Sequence, residues 1–361
     1  MSTENKARDA KNEPTTTKRG ATKSVSRSAL ALCAPLLGLA VLAPAVAPAQ
    51  AAPPPPPAAT ATPTADVGPL ITVDDLKVWK GEEQDWNQNG DEPVVVTLMI
   101  RTTLGEKNST RTAWVSSQPR ELGSGVDNGD WVSVPDDQGD AHFVSRKRAI
   151  EGGDMSVHYL SADELIDAIA AGKQVRPDVA MTVSFAFDGD FSGQKALMDF
   201  MNTLRTTMVK KVTPIFEAAQ ISGDPKQMGQ SVADVQKAAK KATVSVWDVL
   251  LNIDSIWSYV WKSGGDYDDL IGVSAMSFIP VEKGVTDVLP IEPEAAGLDK
   301  NWTKDTTPRV SVGNGWIDVP VRFGLLEAGT DGTSVTKVVQ SDLPIEDHVG
   351  YDLRHWIKAA Q

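Results

Sequence analysis

The sequence predicts a mainly β protein with an α insertion: an antiparallel β-sandwich carrying a helical hairpin in one of its loops. Three observations lead there. Short runs with strand periodicity are separated by Gly, Asp and Pro punctuation, as in stacked antiparallel sheets. A single block, 191–265, switches to the three-to-four spacing of amphipathic helices. Strand patterns then resume after it.

The elements follow in chain order. Residues 1–51 begin polar, with Lys18, Arg19, Lys23 and Arg27, continue as ALALCAPLLGLAVLAPAVA and exit through Ala49-Gln50-Ala51. A basic start, a short apolar centre and an A-x-A exit predict a secretory signal peptide cleaved after Ala51, hence a secreted protein, extracellular or attached to the cell envelope. Pro35, Pro44 and Pro48 interrupt the apolar run and argue against a membrane anchor. Leu32 stands where a lipoprotein signal needs a small residue before Cys33, and the basic pair is Lys-Arg, which points to the general export route. Residues 52–67 are Pro/Ala/Thr-rich and predict an extended, disordered linker.

The first part of the sandwich is expected over 68–190. LITVDDLKVWK alternates, whereas PVVVTLMIRTT is more continuously apolar. RTAWVSS, DWVSVP and DAHFVS predict shorter strands. Ser161 and Glu164 form a capping box for a helix that Gly172 ends, and DVAMTVSFAF is a strand running into Asp188-Gly189-Asp190. In the inserted hairpin, Leu197, Met201, Leu204, Met208, Val212 and Ile215 mark one helical face. Gly223 and Pro225 break it, and a second helix is expected over about 229–262, ending rich in Trp247, Trp257, Tyr259 and Trp261. The rest of the sandwich is expected over 266–330, with LIGVSAMSFIPV and GWIDVPVRFGLL as single strands and an irregular connection between them. Residues 331–361 read as a C-terminal surface segment ending in a short helix, with Trp356 and Ile357 resting on the body.

Composition narrows the function. Cys33 is the only cysteine, so a chain cleaved after Ala51 has no disulfide, thiolate metal site or cysteine nucleophile. The formal charge is −13, and without the leader 28 Lys and Arg face 45 Asp and Glu, a net −17. Such a surface repels nucleic acid and anionic lipid unless cations intervene. The four histidines, His142, His158, His348 and His355, stand in no ligand or nucleophile–base spacing, and no G-x-S-x-G, P-loop or dinucleotide fingerprint is present. No enzymatic activity is expected.

The acidic residues are more informative. DWNQNGDEP, residues 85–93, gathers side-chain oxygens immediately before a strand. Calcium takes six to eight oxygen ligands with loose geometry, whereas magnesium demands a tighter octahedron. An EF-hand reading fits Asp85, Asn87, Asn89 and Gly90, but Val96 stands where the bidentate glutamate is required and a strand follows in place of a helix. Asp188 and Asp190 close one strand, and Asp269 opens another. Four or five carboxylates at one end of a sandwich repel one another unless a cation neutralises them.

In these residues the chain resembles the C2 domain, a calcium- and lipid-binding β-sandwich family. Asp85 and Asp91 match its first calcium loop, and Asp188, Asp190 and Asp269-Leu270-Ile271-Gly272 match its third. The chain departs from the pattern in Glu92, which precedes Pro93, in Val94, which stands in place of a tyrosine, and in the helical block lodged within the third loop. The resemblance implies calcium as cofactor, held by Asp85, Asp91, Asp188, Asp190 and Asp269. Asn87, Asn89, Asp266 and Asp268 are possible additional ligands. It also implies docking on an anionic lipid or cell-envelope surface, with Trp86 as the membrane contact. The alternative is a metal-free secreted interaction protein that binds a protein partner through the helical insertion.

Overall fold

The computed structural model describes residues 70–80, 91–145, 155–189, 194–252, 269–312, 315–341 and 348–359. Fifteen strands occur among them. They are β1 (Leu70–Lys80), β2 (Pro93–Thr103), β3 (Arg111–Trp114), β4 (Trp131–Ser133), β5 (Asp140–His142), β6 (Val144–Ser145), β7 (Ser156–Val157), β8 (Asp178–Asp188), β9 (Asp269–Val281), β10 (Thr303–Thr306), β11 (Arg309–Val312), β12 (Gly315–Asp318), β13 (Val321–Glu327), β14 (Asp331–Ser341) and β15 (His348–Lys358). The helices are α1 (Asp136–Gly139), α2 (Ala162–Ala170), α3 (Gln194–Ala218), α4 (Pro225–Asn252) and α5 (Val285–Val288).

Two large sheets organise the chain. One runs β10-β13-β9-β8-β2-β3, and the other β11-β12-β14-β15-β1-β4, with β5 also paired to β1. The central strands β2 and β8 are buried along nearly their whole length. In β2, Val94, Val96, Leu98 and Ile100 join one hydrophobic cluster, while the alternate Val95 and Met99 join two others. A strand buried on both faces needs apolar side chains at successive positions, which explains the run PVVVTLMI. Where polarity intrudes it is paired, as in Thr97 and Ser184, whose hydroxyls lie 3.1 Å apart.

The first cluster also contains Met201, Leu204, Met208, Val212 and Phe216 of α3 and Val232, Val235 and Ala239 of α4. The helices therefore cover one face of the six-stranded sheet. Each of these α3 side chains is at most 1% exposed, and full burial of a Leu- or Phe-sized side chain contributes about 1.5–3 kcal/mol. The pair is a packed layer. The other face of the sheet meets β1 and β15, with Ile71, Met99, Ala180, Phe278 and Ile357 in one cluster and Val73, Leu76, Val95, Tyr351 and Leu353 in another. The chain is mainly β, in two sheets, with a few helices.

The helix α2 begins as its sequence predicts. The Ser161 hydroxyl accepts from the Glu164 N–H, and the Glu164 carboxylate accepts from the Ser161 N–H at 3.0 Å. Four expectations are corrected. The sheets are not wholly antiparallel: β13 runs parallel to β9, Val321 opposite Ala275. The long connection between them permits this, because parallel neighbours need a crossover. That connection is also partly regular, holding α5, a 3-10 turn at Pro293–Ala296 and the strands β10 and β11. GWIDVPVRFGLL is two strands, because the chain breaks at Val319-Pro320 and passes from one sheet to the other.

Finally, the C-terminal segment is no surface helix. β15 lies between β14 and β1 in the middle of its sheet, paired with β1 from Leu70 opposite Lys358 to Lys80 opposite Gly350, with register shifts at Val73/Asp75 and Val78/Lys80. Tyr351, Leu353, His355 and Ile357 point inward at the two-residue period of a strand, with Trp356 exposed between them.

Candidate functional site

The backbone register decides how the acidic stretches meet. Asp188, the last residue of β8, is the ladder partner of Pro93 on one side and of Asp269 on the other. The row Pro93–Asp188–Asp269 therefore crosses three adjacent strands at one pole of the six-stranded sheet. The long excursion through α3 and α4 returns the chain to the position directly opposite the one it left. In an antiparallel pair such partners have Cα atoms about 4.5–5.5 Å apart.

Asp91 and Asp188 are held by the fold around them. Asp91 is fully buried at 0% exposure, and its Oδ2 accepts a hydrogen bond from the Tyr351 hydroxyl at 2.8 Å. The bond joins the start of β2 to the central strand of the opposite sheet. The backbone of Asp91 exchanges both hydrogen bonds with Val126, at 3.2 and 2.9 Å. Asp188 is 5% exposed, and its Oδ1 accepts from the Glu92 N–H at 2.9 Å, while the Gly189 N–H donates to the Glu92 carbonyl at 2.9 Å. A buried carboxylate is tolerated only with such donors.

Of the sequence-predicted ligands, Asp91, Asp188 and the backbone of Asp269 are thus brought to one pole. Asp85, Asn87, Asn89, Asp190, Asp266 and Asp268 lie outside the described residues, as does Trp86. Among the described residues no group of three or more His, Cys, Asp or Glu is placed to hold a metal ion. Among them, too, no helix is long and apolar enough to cross a membrane.

Sequence reasoning missed two polar arrangements. At the opposite end of the β2–β8 ladder, Arg101 grips Asp178 through Nε at 3.1 Å and Nη2 at 3.0 Å. The Thr103 hydroxyl adds a 2.6 Å bond to the same carboxylate, and the His158 N–H one of 2.8 Å. Arg101 and Asp178 are only 11% and 1% exposed. The legible signal was an arginine inside an apolar strand, since a buried charge requires a partner. The second arrangement is His355, whose Nε2 lies 3.4 Å from the Ser274 Oγ between the sheets. Burial, with the Arg322 charge nearby, pushes the imidazole pKa down to about 3. Ser274 and His355 are each 1% exposed, so this serine–histidine pair is closed to substrate.

A cleft of about 690 Å³ is lined by Asp299, Trp302, Arg322, Leu325, Glu327 and Asp331 among others. Its charges are engaged within the fold. Asp299 accepts from the N–H groups of Asn301 and Thr303, each at 2.9 Å, and Glu327 from the Gly284 N–H at 2.8 Å and the Thr286 hydroxyl. Arg322 is paired with Asp305 at 2.7 Å, and Asp331 accepts from the Trp356 indole N–H.

Comparison with protein-family models, with curated proteins and with solved structures finds no match to the chain.

Proposed function

We propose that the chain is an exported calcium-binding protein whose two sheets form a C2-like β-sandwich, with the ion bound at the pole where β2 and β9 begin and β8 ends. Asp188 and Asp269 flank the ion, Asp91 supports it from beneath, and Asp85 and Asp190 close the shell from the adjoining segments. Asn87, Asn89, Asp266 and Asp268 supply further oxygens. The observation that carries this reading is the register Pro93–Asp188–Asp269. It sets two carboxylate-bearing residues side by side on neighbouring strands, where a divalent cation relieves their repulsion. The donors on Asp91 and Asp188 agree with it, because metal-binding carboxylates are commonly oriented by hydrogen bonds of their own. Attachment to an anionic lipid or envelope surface follows as the use of the bound ion, with Trp86 at the interface.

Thermal unfolding of chelator-treated protein tests the binding step. Saturating calcium raises the midpoint by the linkage between ligand binding and folding, about 2.7 kcal/mol at one hundred times Kd. An unchanged midpoint at millimolar calcium removes the proposal and leaves the metal-free interaction protein. Sedimentation with anionic vesicles, with and without calcium and with Trp86→Ala, tests the surface step separately.

A further inference from the structure

The cleft beside Trp302 lies where the chain passes from one large sheet to the other, between β13 and β14. The turn before β10, the helix α5, the end of β13 and the start of β14 all contribute to its lining. At about 690 Å³ it falls within the roughly 300–1,000 Å³ typical of small-molecule sites. Phe278 and Leu326 at its base are sealed by packing, so recognition falls to the walls and rim. There Asp299, Asp331 and Gly332 are exposed, and Trp302, Arg322 and Glu327 are partly so.

The fold orients the polar groups of these walls without exhausting them. Among the described residues, Asp299 accepts three hydrogen bonds, Glu327 two and Asp331 one. An ionised carboxylate offers about four lone-pair sites, so about half of their combined acceptor capacity remains open. Arg322 binds Asp305 through Nε and Nη2, each at 2.7 Å, and its Nη1 donates to no described residue. Trp302 adds an aromatic wall. Its φ of 57° is an outlier for so bulky a residue. The conformation is held from both sides: the Trp302 N–H donates to the Asp299 carbonyl at 2.9 Å, and its own carbonyl accepts from the Leu325 N–H at 3.0 Å. Gly324 makes room for it, since a Cβ there would stand 2.9 Å from the Trp302 carbonyl oxygen. Backbone strain that the surroundings enforce in this way clusters at ligand sites.

We propose that this cleft binds a neutral saccharide, a mono- or disaccharide unit that is either free or the end of a glycan. The C–H face of a sugar ring packs on the Trp302 indole, and its hydroxyls bond to Asp331, Glu327 and Arg322. The walls select among ligand chemistries. An organic cation has donors for the carboxylates but no acceptor for Arg322, whose charge it meets. An organic anion reverses the mismatch and faces three carboxylates. A hydroxyl both donates and accepts, so a ring bearing several satisfies both kinds of wall. Sites built to bond hydroxyls reject ligands that leave those groups unpaired. The cleft is separate from the proposed calcium pole and requires no metal: on β9, Phe278 stands nine residues from Asp269, about 30 Å along a strand.

The test is a chemical-shift titration of the full chain in chelator with cellobiose, lactose, mannobiose and diacetylchitobiose, and with benzyltrimethylammonium and benzoate as charged probes. At least one disaccharide is expected to saturate below about 10 mM, at least about tenfold tighter than either charged probe. Its shifts should centre on the Trp302 indole N–H, Asp331 and Gly332. Asp331→Ala removes an acceptor, and Gly332→Leu fills the cleft, where an added Cβ meets no atom within 4 Å. Each is expected to weaken that disaccharide at least about tenfold, while Asp234→Ala on α4, outside the cleft, leaves it unaltered. Circular dichroism like that of the parent shows that the variants fold. Lack of saturation by all four disaccharides, tighter binding of a charged probe, or undiminished binding by either folded cleft variant overturns the proposal. The methyl glycoside of the bound sugar separates the two sources: retained binding identifies a glycan end, and binding of the reducing sugar alone identifies a free ligand.

Discussion

His355 makes the protein's stability depend on pH in a way that can be calculated from its surroundings. The imidazole is 1% exposed on β15 and is neutral in the folded chain, its pKa pushed down from 6.5 to about 3, chiefly by burial. The unfolded chain takes up a proton below 6.5 that the folded chain refuses until about 3. Stability from this residue is therefore complete above pH 6.5, declines as the pH falls through that value, and levels off below about 3. At 1.36 kcal/mol per pH unit, the loss amounts to about 2 kcal/mol at pH 5. Urea unfolding in chelator, followed by tryptophan fluorescence between pH 7.5 and 5, measures it. The neutral His355→Gln variant is expected to be less stable than the parent at pH 7.5. The gap between the two should narrow by about 2 kcal/mol at pH 5, because the variant has no imidazole to protonate. Parallel pH dependences of parent and variant would refute the reasoning, whatever their offset.

Other substitutions probe the same framework. Tyr351→Phe deletes the donor to the buried Asp91 carboxylate and should lower the unfolding free energy by about 1–3 kcal/mol in the same urea assay. Asp178→Ala leaves Arg101 uncompensated in a largely buried site, with an expected cost of about 3–5 kcal/mol. Gly223→Ala would bring a Cβ to 2.0 Å from the Lys173 carbonyl oxygen and 2.8 Å from that of Ala168. Backbone atoms cannot yield as a flexible side chain can, so a loss of about 1–3 kcal/mol is expected, read as a lower urea midpoint.

Much of the architecture was legible because local pattern and tertiary environment agree. The capping box at Ser161 and Glu164 requires only residues three apart. The face Met201, Leu204, Met208 and Val212 is buried because it meets a continuous apolar sheet. β2 reads as a strand because both of its faces are covered. What failed was set by distant partners. β15 owes its central place to β1, with Arg354 opposite Asp75 and also bonded to it at 2.7 Å. Its inward set includes the polar His355, and the large apolar Trp356 falls on the outward face, which blurs the alternation of Tyr351, Leu353 and Ile357 with Asp352, Arg354 and Lys358. Alternation also continues through Val319-Pro320, and only the sheet assignment reveals the break.

The candidate site was legible in part for the same reason. Strand-edge aspartates are visible in sequence, and the pairing of Asp188 with Asp269 follows from the β8–β9 ladder. The hydrogen bond from Tyr351 to Asp91 spans 260 residues and had no local signal.

Equilibrium dialysis of chelator-treated protein against radioactive calcium decides whether the pole binds the ion, with Asp269→Asn beside the parent. Asp269 is the informative position because it stands opposite Asp188 at the pole. Saturable calcium binding is expected of the parent and at least about tenfold weaker binding of the folded variant, a difference of about 1.4 kcal/mol. No saturable calcium in the parent, or equal binding by both proteins, would contradict it.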